Sequence, residues 1–406
     1  MFCNNSFPRQ HAPLGNGNKG LPRVLLAFVL MAALLSSCGH DDPEPDNTHA
    51  VVFYFPYSGY SDSDNYGSLE TNVANNIADV KKAIVTQRGL GTTRVMVIMA
   101  SSAKAGRLSE IVYKNGSCQE TQLKSYTDWS FTDRENIRTM FNDAASHAGA
   151  RTYSMVIGAH GSGWLPKESR PNMAKAFGGS TTATKTNIET LDSAIVQSDI
   201  KHLEYLCFDD CYMSNIETAY RLRNAVDHLI ASTSEIMAKG LPYSDIWTSM
   251  NSAQPDYSAI VSGFATFYST YSLPYGALAV IDCRKTERAA ELMSSLNTLL
   301  ADAGIAPSDI TPQVLDGFTP PVFFDMKDYT DRALAALGSP AALSAQFETL
   351  YSDMIMAHSS TPYLYSLYTK GTFAVTTNCG VTISDPTVNS QATPWLHSTD
   401  FWIATH

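Results

Sequence analysis

The chain has 406 residues, of which 44% are hydrophobic and 17% charged, and its formal net charge is −11. That composition is ordinary for a globular protein with a large buried core and gives no sign of a fibrous or low-complexity chain. The acidic balance argues against nucleic acid and against anionic lipid headgroups as partners.

The amino terminus reads as a targeting segment. Arg9, Lys19 and Arg23 precede an unbroken apolar run from Val24 to Leu35. The run is too short for a permanent membrane helix and fits the apolar region of a secretory signal. Leu35-Ser36-Ser37-Cys38-Gly39 follows it and resembles a bacterial lipobox. The resemblance implies cleavage before Cys38 and attachment of lipid to that cysteine. Residues 1–37 are therefore expected to be a lipoprotein signal peptide and residues 38–48 a disordered acidic tether, rich in Asp, Glu and Pro. Acidic residues just behind the lipid cysteine resemble the surface-export signal of some Gram-negative lipoproteins. The expected location is the outer membrane or cell surface of such a bacterium, with the membrane reached through the lipid anchor.

Beyond the tether, six continuous apolar runs read as buried strands: Ala50–Tyr54, Val95–Ala100, Tyr153–Ala159, Leu203–Asp209, His228–Thr233 and Gly276–Asp282. Unalternating apolar runs suit a parallel sheet covered on both faces. Helical spacing separates them, with Val73, Ile77, Val80 and Ile84 on one stripe, then Ile137, Met140, Phe141 and Ala144, then Ile188, Leu191 and Ile195. Thr132-x-x-Glu135 reads as a capping box for the second of these helices. Helices are also expected over Asn215–Arg223 and Arg284–Ala303. Asn115-Gly116, flanked by Ile111-Val112-Tyr113 and the residues after Cys118, predicts a hairpin with a type I′ turn at the sheet edge. The sequence thus predicts an α/β fold, a doubly wound and mainly parallel six-stranded sheet, over residues 49–303. From residue 304 to 406 the pattern dissolves into Pro-Pro punctuation, a helix over Leu343–His358 and short strands. It reads as a smaller C-terminal α+β extension.

Two of the buried runs end in reactive groups. Val156–Ala159 leads into His160-Gly161-Ser162-Gly163-Trp164, and Leu203–Phe208 leads into Asp209-Asp210-Cys211. In open α/β sheets ligands bind beyond the carboxyl ends of strands, so an imidazole and a thiol are both expected on that edge. There they can act as nucleophile and proton-transfer partner. Cys207 lies inside its strand, where cysteine behaves as a small apolar residue. His202, His228 and His358 read as surface or capping residues, the last at a helix end. Gly161 lets the backbone approach a substrate and aim its N–H at a developing oxyanion, with the Cys211 N–H as partner. Cys118, Cys207, Cys211, Cys283 and Cys379 remain after the signal and lipid cysteines are set aside. Five is odd, so at least one thiol is unpaired. Cys207 and Cys211 have no second Cys/His pair at zinc-site spacing nearby, so no metal site is expected.

Gly158–Trp164 together with Phe208–Glu217, supported by Ala231-Ser232, Gly240–Tyr243 and the Ala279–Asp282 strand, resembles the clostripain family of cysteine peptidases. The resemblance implies a caspase-like fold and hydrolysis of peptide bonds in protein or peptide substrates. It implies Cys211 as the nucleophile that forms the acyl-enzyme, His160 as its catalytic partner, and Gly161 and Cys211 as oxyanion donors. Asp209 matches a family aspartate at the pocket for the residue before the cut bond (P1), and capping the strand end is its plain structural role. The Ser234–Lys239 loop, where the family can place another acid, offers Glu235 but also Lys239. The family's frequent preference for Arg or Lys at P1 stays open on these residues. Gly158, Ala159 and Tyr212 depart from the family pattern. Family self-processing points to Lys175 within the Lys167–Lys175 loop. No cofactor is required by this chemistry; calcium enters by resemblance alone, because the chain shows no continuous calcium loop. The rival reading is a catalytically inactive member serving as a surface binding or adhesion lipoprotein.

Overall fold

A computed structural model describes residues 48–57, 69–168, 177–179 and 181–406. The signal peptide, Cys38, the tether up to residue 47 and Lys175 lie outside the described residues. The first strand, β1 (His49–Phe55), is buried along its whole length. β2 (Thr93–Ser102), β3 (Ala105–Lys114) and β4 (Ser117–Thr127) follow. The Asn115-Gly116 turn between β3 and β4 has φ of 53° and 80°, the two positive values that a type I′ turn needs. Then come β5 (Thr152–Gly158), the short β6 (His160–Gly161), β7 (Phe177–Gly178) and β8 (Lys185–Thr186), β9 (Leu203–Asp209), β10 (Val226–Ala231) and β11 (Ala277–Asp282).

These strands build an α/β fold around a large, mainly parallel sheet. Among the described residues the sheet has nine strands rather than the expected six, in the order β13-β11-β10-β9-β5-β1-β2-β3-β4. The five central strands, β10 to β2, are parallel. β3 and β4 extend one edge antiparallel, through the Asn-Gly hairpin. β11, expected to join the parallel set, runs antiparallel to β10. The ninth strand, β13 (Ile355–Ser360), pairs with β11. It corrects the helix expected over Leu343–His358: that helix runs Ala341–Met354, and His358 lies in the edge strand.

The remaining C-terminal strands are short: β12 (Phe324–Asp325) with β16 (Thr382–Ile383), and the hairpin β14 (Tyr363–Ser366) with β15 (Gly371–Ala374). Thr382 bridges to Asn215, and its N–H donates to the Ser214 carbonyl at 3.0 Å. The region after residue 304 is thus tied both to the sheet edge and to the segment following Cys211.

The sheet separates two apolar layers. Ala50, Val52 and Tyr54 of β1 pack on one side with Met155 of β5 and Phe208 of β9. Val51, Phe53 and Phe55 pack on the other with Val156, Cys207 and Trp247. Period-two alternation distributes these residues even though every position is apolar. Each fully buried side chain of this size contributes about 1.5–3 kcal/mol of burial free energy. The helices Glu70–Thr86, Tyr243–Met250 and Tyr257–Thr270 cover the second side. The helix Arg134–Ala148 is capped by Asp133, whose carboxylate accepts from Glu135 and Asn136 N–H, and not by Thr132 as the capping-box pattern predicts. Asp133 stands one residue nearer the helix, in the N-cap position with extended backbone, so its carboxylate meets those first-turn donors directly.

Candidate active site

Register brings the two motifs together. β5 and β9 are parallel neighbours, with Ile157 beside Phe208 and Gly158 beside Asp209. Both strands leave the sheet at this level, so the next residues of each emerge at one rim. A side chain on Gly158 would strike the Phe55 ring, which an added Cβ would meet at 2.7 Å. That contact gives a physical reason for glycine at this departure from the family pattern. Ala159 N–H donates to Asp210 Oδ1. His160 and Gly161 then pair with Gly178 and Phe177, and β7 pairs in turn with β8, so the imidazole stands on a small three-stranded sheet. The Tyr57 ring lies 6.0 Å from it, centroid to centroid.

Gly161 packs directly on the Cys211 main chain. A Cβ there would sit 2.5 Å from the Cys211 carbonyl oxygen and 3.1 Å from its nitrogen. Only glycine permits that approach, and it brings the backbone after the His against the backbone of the Cys. His160 and Cys211 line one cleft of about 910 Å³. Cys211 is part-exposed and Cys207 fully buried, and neither is joined in a disulfide among the described residues. Burial holds the Cys207 thiol well above its ordinary pKa, as suits a core residue.

The turn carrying Cys211 is built on the segment after β10. Tyr212 takes a left-handed φ of 61°, a conformation an aromatic residue adopts only when its surroundings enforce it. Its N–H donates to Ser234 O at 2.9 Å, and Ser214 N–H donates to Ser232 O at 2.8 Å. Its ring stacks on Phe323 at 5.4 Å. Ile236 N–H points at Cys211 Sγ from 3.4 Å, and the Ile236 carbonyl oxygen lies 3.9 Å from the same sulfur. The helix Ile216–Leu222 follows, capped by the Asn215 side chain.

The acidic residues singled out from the sequence both border the cleft, and both are already held. Asp209 accepts from Leu241 N–H at 3.0 Å, Tyr243 O–H at 2.9 Å and Asn76 Nδ2 at 3.2 Å. Burial pushes its carboxyl up to about 6, against the pull of the Leu241 and Tyr243 donors. Glu235 accepts from Tyr212 O–H at 2.8 Å, Ser366 O–H at 3.0 Å and Leu367 N–H at 2.9 Å. Lys239, the basic residue of that loop, pairs with Asp79 at 2.7 Å. The neighbouring Asp210 was not recognised from the sequence. It is 1% exposed, and its Oδ2 has no hydrogen-bond partner among the described residues. Nor were the residues of β14–β15 that line the cleft, Tyr365, Leu367, Gly371 and Thr372. Nothing local in the sequence marks them.

A thiol and an imidazole on one cleft, at the carboxyl ends of adjacent parallel strands, define the architecture of a cysteine hydrolase of caspase-like fold. The clostripain family model matches residues 59–401. Over 89% of this chain and 99% of its own, a secreted C11 cysteine protease from Bacteroides thetaiotaomicron, "iotapain", is 35% identical with a TM-score of 0.77. A clostripain from Bacteroides thetaiotaomicron, solved with the peptide inhibitor BTN-VLTK-AOMK, is 37% identical over 57% of this chain and 99% of its own, with a TM-score of 0.50. An inactive zymogen C11 protease from Parabacteroides distasonis shares the fold at 22% identity, covering 89% of this chain and 99% of its own, with a TM-score of 0.73. No curated protein matches. The chain belongs to the clostripain family and is a cysteine peptidase.

Proposed function

We propose that the protein is an exported cysteine endopeptidase working through Cys211 and His160, with a preference for lysine or arginine at P1. The observation that carries this reading is the packing of Gly161 on the Cys211 backbone, with both reactive side chains on one cleft. The Cys211 thiol passes its proton to His160 as Sγ attacks the scissile carbonyl carbon, and the oxyanion is received by the N–H groups of Gly161 and Cys211. As the C–N bond breaks, His160 gives a proton to the departing amine. Water then attacks the thioester, releasing the carboxylic acid and restoring the thiol. These steps call for no organic cofactor and no metal.

Asp209 supports the basic preference, as an acidic residue lining the same cleft as Cys211. The peptide of the inhibitor bound by the 37% identical relative ends on lysine. Export is supported by the charged and apolar pattern of residues 1–37 and by the relative described as secreted. Lipid on Cys38, and thus an outer-membrane or surface position, extends that reading, as does self-cleavage after Lys175. A fluorogenic peptide series varied only at P1 tests the specificity. Lysine or arginine should exceed norleucine in kcat/KM by at least about tenfold. Equal rates would refute the basic preference, and no thiol-dependent turnover on any peptide would favour an inactive binding lipoprotein.

A further inference from the structure

The same rim carries a feature that the two reacting side chains do not use. Along it the strands stand in the order β5, β9, β10, β11, β13. β5 leads to His160, so the imidazole lies on one flank of the Cys211 turn; β10 leads on the other flank into Ser232–Leu241. β11 is antiparallel to β10, with Ala231 beside Ala279, so β11 begins at this rim. β13 ends there, since Ser360 pairs with Ala277. The turn before β11 and the β14–β15 hairpin after β13 therefore line the cleft on the side away from His160. They bring Leu273 and Tyr275, and Tyr365 and Leu367, respectively. Leu273 and Leu367 are 49% and 48% exposed, and the rings of Tyr275 and Tyr365 stack at 6.2 Å. Large apolar side chains left facing a cleft mark a binding surface.

This wall is fixed relative to the thiol. Glu235 accepts simultaneously from the Tyr212 hydroxyl, on the residue after Cys211, and from the Ser366 hydroxyl and Leu367 N–H of the hairpin. One buried carboxylate thus ties the hairpin to the reactive turn, through charge-assisted hydrogen bonds of the stronger kind.

We propose that Leu273, Tyr275, Tyr365 and Leu367, registered by Glu235, form a subsite for a large apolar side chain at P2 or P3 of the substrate. The inference rests on the Cys211–His160 reading. Because His160 protonates the departing amine, the leaving half of the peptide lies on its flank. The acyl half spreads the other way, towards β10, β11 and β13.

The test holds P1 at lysine, replaces the leaving half by a fluorogenic amine, and varies P2 and P3 among Leu, Phe, Ser and Asp. Leu or Phe at one of the two positions should raise kcat/KM about tenfold or more over Ser, chiefly through KM. The double variant Leu273→Ser/Leu367→Ser changes two half-exposed side chains and should fold. It should lose that preference while keeping the P1 preference of the parent. Thiol-dependent turnover that is indifferent at both positions overturns the subsite, as does a folded double variant that keeps the preference. Turnover that survives Cys211→Ala overturns the underlying reading instead.

Discussion

The Asp210 carboxylate accepts the backbone N–H of Ala159, so the residue before Cys211 is bonded to the residue before His160. With Gly161 against the Cys211 backbone, this bond fixes the spacing of the two turns from below. Burial holds the Asp210 carboxyl well above the ordinary carboxylate range, and Asp209 adds to the effect. An amide at this position keeps the shape of the side chain and an acceptor oxygen for the Ala159 N–H.

Asp210→Ala should therefore lower kcat by about tenfold or more with a smaller change in KM, since small misplacements of reacting groups cost rate steeply. Asp210→Asn, which keeps an oxygen for Ala159 N–H, should recover most of the loss. Steady-state kinetics of the two folded variants decide it. No loss in the alanine variant, or equal loss in both, would contradict the bracing role.

The Asp209 carboxyl, raised to about 6 by burial, predicts a pH-dependent specificity. Because the folded value lies above the ordinary one, the folded state holds this proton more tightly than the unfolded chain. The resulting stability is present at low pH and lost as pH rises through about 6. Charge is available to a basic P1 side chain only above that point. The ratio of kcat/KM for lysine over norleucine should fall severalfold from about pH 7.5 to about pH 5. The ratio cancels the titrations of Cys211 and His160, which act on both substrates alike. Asp209→Asn should flatten it at all pH values, whereas Glu235→Gln should leave it intact if Asp209 alone supplies the charge read at P1.

Glu217 lies in the buried seam between the Cys211 segment and the C-terminal region. Its Oε1 accepts from Ser384 N–H at 2.9 Å, its Oε2 has no hydrogen-bond partner among the described residues, and burial, with Asp385 adding, raises its carboxyl to about 8. Stability from the bound proton is full below the unfolded value and is lost as pH rises through about 8. Glu217→Gln removes that loss while keeping an acceptor for Ser384. Its Tm should exceed that of the parent by about 2 °C or more at about pH 9 and converge with it at about pH 5. A lower Tm at the higher pH would contradict the assignment.

Much of the fold was legible because its central strands are long and wholly apolar. β1, β5 and β9 can be nothing but buried, and Asn115-Gly116 names its own turn. The helix Tyr257–Thr270 was not legible: its Ser, Thr, aromatic and β-branched residues, with Gly263 near the middle, are weak helix formers. β13 was hidden for the opposite reason. Ile355–Ser360 is an edge strand with no fully buried residue, and it follows a good helix without a breaker. In the site, His160 and Cys211 were legible because each ends an apolar run. Asp210 was not, since only the pairing of β5 with β9 shows that it reaches Ala159. The apolar wall was invisible because Tyr365 and Leu367 arrive from a distant hairpin through tertiary contact alone.

The most direct test of the account is active-site labelling. A thiol-directed peptide inhibitor ending in lysine is applied to the parent, Cys211→Ala and His160→Ala proteins, with peptide mapping of the adduct and turnover measured in parallel. The account predicts one adduct, on Cys211 in the parent, sharply slower labelling without His160, and a folded Cys211→Ala protein whose kcat/KM falls by about a thousandfold or more. Turnover by folded Cys211→Ala, or preferential labelling of Cys118 or Cys379, would contradict it.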